Sequence, residues 1–352
     1  MKTSNNHTTG HIEICRLEPH DAARWDAFVH TCPDATFFHL SGWKMVLEQA
    51  FGHATHFLFA QRNGAIEGVL PLGHIRSLLF GNTLISSPFC VYGGVAATTA
   101  DARSALTQAG VDLAEQLRVD SLEFRYRLPQ NQDWPRKDLY VTFRKDIDAD
   151  PDKNLAAIPR KQRAVIRKAM DSALTSVIDP DIDRFFAAYS ASVRNLGTPV
   201  FARKYFRILK DVFGEACEVL TVEFEGRPIA SVMSFYFRDE VLPYYGGGAS
   251  EARTLKGNDF MYWQLMCHAA AERGCKIFDY GRSKQGTGSY DFKRHWGFEP
   301  QALHYEFHLV KAREIPEVNP LNPKYRYFIQ AWQRLPLSVS QWIGPLISKN
   351  LG

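Results

Sequence analysis

The chain has 352 residues, enough for two domains of ordinary size with separate cores. A composition 45% hydrophobic and 23% charged fits a globular protein, and no apolar run approaches the ~20 residues of a spanning helix. The net charge of +4 argues against a dedicated nucleic-acid binder, and six scattered cysteines without a CxxC pair argue against zinc and dithiol motifs.

The opening stretch MKTSNNHTTGHIEICRLEP carries no apolar signal core, and the thiols fit a reducing compartment, so a cytoplasmic location is expected. Further along, two segments share one order of features. HFLFAQRNGAIEGVLPL, CVYGGVA, DARSALTQAGVDLAEQLR and DSLEFRYR form the first set. EVLTVEFEGRPIASVMSFYF, DEVLPYYGGGA, GNDFMYWQLMCHAAAERG and CKIFDYGR form the second. In each, a strand ends in a turn glycine (Gly64, Gly226), and a later strand ends in Tyr-Gly-Gly at Tyr92 and Tyr245. An amphipathic helix and another strand follow, which predicts a mixed α/β protein that is internally duplicated.

The polar stretch RKDIDADPDKN reads as the boundary, giving units at 1–148 and 149–312 and a linker and tail at 313–352. After it, IPRKQRAVIRKAMDSA predicts a helix with Pro159 near its first turn. Arg160, Arg163 and Arg167 recur there at helical spacing, suited to phosphate contact or to a solvated face. Residues 311–323 carry three prolines and read as an extended linker. The tail mixes Trp332, Trp342, Ile343 and Leu346 with Arg334 and Lys349. Either it packs back on the body or it touches the inner membrane face.

The densest stretch is FDYGRSKQGTGSYDFKRHWGFEP, Phe278 to Pro300. Alternation over Ile277–Arg282 puts Phe278 and Tyr280 on one side and Asp279 and Gly281 on the other. SKQGTGS is a turn, and YDFKRHWG predicts a short helix with Phe292 and Trp296 facing the core. Tyr290 and Lys293 share the neighbouring face, and Lys293 projects toward the strand end that carries Asp279. Read as exposed, Lys293 should contribute less than ~1 kcal/mol to stability.

These stretches, with FFHLSGWKMVLEQAFG and YYGGG, resemble the FemAB-type branch of GNAT-like acyltransferases, in particular the FemAB-related proteins associated with exosortase/PEP-CTERM systems. The resemblance runs from about Ala35 to the C-terminus. It implies two tandem GNAT-like domains and formation of an amide from an activated acyl or aminoacyl group and an amine. The donor it implies is acyl-CoA or aminoacyl-tRNA as co-substrate, with no tightly bound cofactor and no metal. The acceptor it implies is a sugar or peptide, free or lipid-linked, in envelope or exopolysaccharide synthesis.

Under that resemblance Asp279, Lys293 and Tyr290 are the expected catalytic residues, Asp279 as the base and Lys293 as an oxyanion donor. Donor contacts are expected from Lys256, Gly257 and Asn258 at a helix N-terminus, and from Arg282, Gly286, Gly288 and Tyr245. Acceptor contacts are expected from Trp43, Arg76, Tyr92, Arg160 and Arg163. The first copy has RYRLPQNQDWPRKDL where the second has FKRHWG, so the reacting centre is expected beside the second copy. A monomer is expected. A non-catalytic scaffold and a tRNA-binding protein are the readings from other classes.

Overall fold

The computed structural model describes residues 10–77, 80–315 and 326–351. The first ten residues and the 311–323 linker, read above from sequence, therefore fall largely outside the described residues. In chain order the strands are β1 (Glu13–Arg16), β2 (Ala54–Arg62), β3 (Ala65–Ser77), β4 (Gly81–Ser86), β5 (Ala96–Ala97), β6 (Ser121–Tyr126) and β7 (Arg136–Lys137). They continue as β8 (Tyr140–Asp146), β9 (Leu174–Asp179), β10 (Cys217–Phe224), β11 (Arg227–Phe237), β12 (Glu240–Gly248), β13 (Ile277–Asp279), β14 (Ser283–Lys284), β15 (Pro300–Ala302) and β16 (His304–Leu309).

Two sheets form, and each starts from the same device. Asn63-Gly64 joins β2 to β3 and Glu225-Gly226 joins β10 to β11, all four residues at positive φ (51° and 81°, 51° and 72°). Paired left-handed residues give the turn whose twist matches that of a hairpin. Both hairpins slip register just before the turn, at Ala60/Gln61 and Val222/Glu223. Each unit then crosses over by a helix, Ala100–Gln116 or Gly257–Ala271, into a parallel pair, β4 with β6 and β12 with β13. The duplication read from sequence is thus visible in the backbone.

The sheet orders are β1-β2-β3-β4-β6-β16-β7, with β5 on β3, and β14-β8-β13-β12-β11-β10-β9, with β15 on β8. The division at 148/149 is crossed twice. Strand β8 precedes it yet pairs with β13 in the second sheet, and β16 follows it yet pairs with β6 in the first. Alternation announces a strand but does not name its neighbour. The exchange matters for function, because it sets Arg144 directly opposite Asp279.

One core joins the halves: Phe37 stacks on Phe235 at 4.5 Å, and the Tyr244 hydroxyl donates to the Phe89 carbonyl at 2.9 Å. Gly247 lets the helix Asp183–Leu196 lie on β12, since a Cβ there would sit 2.6 Å from the Tyr189 Cα. In the first copy Tyr92-Gly93-Gly94 lies in the turn beyond β4 rather than in a strand. The tail packs back: Arg194 holds the Leu335 carbonyl at 3.0 Å, Gln341 holds Ser190 at 2.8 Å, and Trp332 is buried. Trp342 stays 75% exposed. Among the described residues no helix is long and apolar enough to cross a membrane.

Candidate active site

Where β6 ends beside β8, β15 and β16, both halves line a cavity of about 470 Å³. Its polar wall includes Tyr92, Arg103, Arg125, Arg127, Arg144 and His304. The floor is built on Asp279, which has no exposed surface. Its Oδ2 accepts from the Tyr92 hydroxyl at 2.8 Å and from Arg144 at 3.0 Å. Its Oδ1 accepts from the Gly281 N–H at 2.7 Å and the Thr142 hydroxyl at 3.3 Å, while the Tyr92 and Thr142 hydroxyls lie 2.5 Å apart. Arg144 also forks onto Glu240, at 2.5 and 3.0 Å. Burial and the Asp279 charge raise the Tyr92 phenol well above its usual value, so it remains a donor.

This arrangement reassigns Asp279. With four donors on two oxygens and no exposed surface, it has no free lone pair to take a proton from a substrate amine. It anchors Tyr92 and Arg144 instead.

Lys293 is reassigned for a similar reason. The helix Gly288–His295 carries it inward, 8% exposed, and its ammonium donates to the carbonyls of Tyr280, Gly281 and Arg282 at 2.7, 2.9 and 3.2 Å. Burial draws its pKa down to about 7, opposed by the Asp279 charge. Three carbonyls call for three hydrogens, which only the ammonium has. The expectation of an exposed lysine of small structural worth is therefore overturned. The helix itself forms where expected, with Phe292 and Trp296 6.1 Å apart.

The groups left open in the cavity are others. Arg127 lies over the Tyr92 ring at 5.5 Å, and no hydrogen bond or ion pair among the described residues engages its guanidinium. His304, half-buried at the start of β16, has two ring nitrogens without a partner among the described residues. Arg103 is held by Asp34 and by the Val95 carbonyl at 3.0 Å. Buried Glu306 accepts the Gln130 and Asn131 N–H groups at 2.8 and 2.9 Å and fixes the turn at the rim.

Beside Thr36, the buried His39 ring accepts the Thr36 N–H at Nδ1 (3.1 Å), which fixes a neutral imidazole. Burial lowers its pKa from 6.5 to about 4. Between those values the unfolded chain binds a proton that the folded chain refuses, so stability should fall as pH drops from 6.5 to 4 and level off below. The expected loss is roughly 3 kcal/mol, read as a slope in urea midpoints that His39→Gln abolishes; an unchanged slope would place the titration elsewhere.

The remaining expected residues scatter. Tyr290 sets its ring edge on Phe143 at 5.4 Å. Trp43 and Tyr245, expected against acceptor and donor, are sealed in the core, with Trp43 Nε1 on the Phe37 carbonyl and the Tyr245 hydroxyl 2.7 Å from that of Tyr205. Arg76 is exposed on β3, Arg160 is exposed and Arg163 half-buried on their helix, and none of the three lines the cavity. Lys256, at φ +60°, Gly257 and Asn258 open the helix Gly257–Ala271 as expected, while Gly286 stands in the turn before the helix Gly288–His295 and Gly288 is that helix's first residue, a Cβ on either meeting nothing within 4 Å. Arg282 lines a second, smaller cavity. Sequence reading found Tyr92 and Asp279 but missed Thr142, Arg144, Arg127 and His304.

The crossover helices, parallel pairs and paired units define a tandem GNAT-like α/β protein. Residues 160–294 match the acetyltransferase (GNAT) domain family. The chain is similar to the crystal structure of FemX, with 14% identity, 90% of this chain and 100% of that one covered, and a TM-score of 0.66. It is also similar to a tandem GNAT protein from the clavulanic acid biosynthesis pathway, with 13% identity, 86% and 100% coverage and a TM-score of 0.54. The C-terminal domain of a putative lysylphosphatidylglycerol synthetase from Agrobacterium fabrum gives 14% identity, 81% and 91% coverage and a TM-score of 0.52. No curated protein matches the chain. The expected fold, two tandem GNAT-like units with mixed sheets flanked by helices, is the observed one.

Proposed function

We propose that this protein is an N-acyltransferase that joins an acyl or aminoacyl group to an amine, with the acceptor seated in the cavity between the two halves. The observation that carries the reading is the pair of groups there without a partner among the described residues, Arg127 and His304, beside a GNAT-type domain. An amine attacks only when neutral, and an imidazole is the side-chain type that exchanges protons near neutral pH. His304 takes the proton from the attacking nitrogen as the N–C bond forms and returns it to the leaving thiol or hydroxyl as the donor bond breaks. Arg127 holds an anionic group of the acceptor. The donor, acyl-CoA or aminoacyl-tRNA, meets the helix start at Lys256–Asn258. An acceptor from envelope or exopolysaccharide synthesis, as in an exosortase-associated setting, fits the cationic wall.

The test is amide formation from each donor class with a panel of amino sugars and nucleotide-linked amino sugars, read by mass spectrometry. His304→Gln and Arg127→Gln should each lower kcat/KM by roughly 100-fold or more while unfolding midpoints hold. A second reading, a non-catalytic scaffold, is favoured by one observation: Asp279 and Lys293 are both consumed by internal bonds. Absence of product with either donor, or wild-type turnover in both variants, would favour it.

A further inference from the structure

A helix on a protein surface ordinarily buries its large apolar stripe and leaves its small and polar residues to water. The last helix, Leu337–Ser348, does the reverse. It buries Ser340, Gly344 and Ser348, which recur at every fourth position on one face. A Cβ on Gly344 would sit 2.9 Å from the Val200 nitrogen and oxygen, and the Ser348 hydroxyl donates to the Val200 carbonyl at 3.1 Å. Trp342 and Leu346, four apart on the opposite face, are 75% and 58% exposed.

The helix is pinned in this orientation at both ends. Arg194 holds the Leu335 carbonyl ahead of it at 3.0 Å, and His53 Nε2 lies 2.6 Å from the Lys349 carbonyl just beyond it. The preceding helix, Arg326–Gln333, adds exposed Tyr327 and Phe328. Leu196, 68% exposed, stands next to Asn195, whose carbonyl takes the Gln333 amide at 3.1 Å. Large apolar groups left in water on neighbouring elements mark a contact surface. Charge selects what it contacts. From Val318 to Gly352 the sequence has no Asp or Glu but four Lys and Arg, so the chain's whole net charge of +4 lies in this segment.

We propose that the outward face of Leu337–Ser348 seats the protein on an anionic lipid surface. Trp342 sits at headgroup level, Leu346 enters the acyl boundary, and Arg334 and Lys349, both exposed, meet the lipid phosphates. Twelve residues of helix span roughly 18 Å, well short of the ~30 Å hydrocarbon core, so the helix lies in the plane of the interface and does not cross it. The small-residue face keeps the helix on the body, so packing and lipid contact use opposite sides of one element. The inference stands on this face alone and does not rest on acyl transfer, since its readout is binding.

The test is flotation of the full chain with vesicles of phosphatidylcholine alone and of phosphatidylcholine mixed with an equal part of phosphatidylglycerol. The protein should float with the mixed vesicles, little with the neutral ones, and less as salt rises. The double variant Trp342→Ser, Leu346→Ser should lower partitioning by ~30-fold or more, and Arg334→Gln and Lys349→Gln by ~5-fold each. Unfolding midpoints should hold, since these side chains make no hydrogen bond or ion pair among the described residues. Should the double variant fail to fold, Arg334→Gln and Lys349→Gln decide. Absence of flotation, equal flotation with both vesicles, or wild-type partitioning in the variants would overturn the assignment. A dimer in light scattering that the double variant turns into a monomer would give the face to a second copy of the chain and overturn it too.

Discussion

Asp279→Ala is expected to lower the free energy of unfolding by about 3–5 kcal/mol, the range for breaking a buried ion pair by removing one partner. The change strands four donors at once: the Tyr92 and Thr142 hydroxyls, the Gly281 N–H and one nitrogen of Arg144. Glu240 still holds Arg144 from the other side, which places the loss toward the lower end. Asp279→Asn keeps the shape but turns an NH₂ group on two of those donors, so an intermediate loss is expected. Urea unfolding of the purified variants measures both. A loss under about 1 kcal/mol for the alanine variant would return Asp279 to the pool of candidate bases.

The same carboxylate shows what the sequence could disclose. Alternation over Ile277–Arg282 put Phe278 and Tyr280 on one side and Asp279 on the other, and they stand so, the aromatics in the core and Asp279 toward Tyr92. Those are local facts, set by a period of two. The partners of Asp279 were not legible, because Thr142 and Arg144 lie on a strand that crosses into the other unit's sheet. Arg144 opens the polar run that reads as the boundary between the two units. His304 was missed for the same reason: HYEFHL alternates like any strand, and only its pairing with β6 brings it to the cavity. Residue type alone does not separate core from ligand wall at Trp43 and Tyr245, where a core role is the alternative to the expected contacts. An aromatic beside small residues has the same composition in a core as in a ligand wall, and here both are core.

Lys293→Ala is expected to cost about 3 kcal/mol, far above the loss for an exposed lysine, because it leaves three carbonyls facing a space with no donor. Lys293→Met fills that space and should recover part of the packing but none of the hydrogen bonds. The lysine and Asp279 act on one short piece of backbone: Asp279 holds the Gly281 N–H while Lys293 holds the Gly281 carbonyl. Gly281 sits at φ +62° between them, a left-handed conformation that both bonds fix. Loss of either frees the turn, so loss of the second then costs less. A double-mutant cycle of Lys293→Met and Asp279→Asn should therefore give a coupling of about 1 kcal/mol or more. That measurement separates two roles for the lysine. A positioning residue couples to Asp279 in stability. A lysine that acts only on a reacting oxyanion would give additive stabilities.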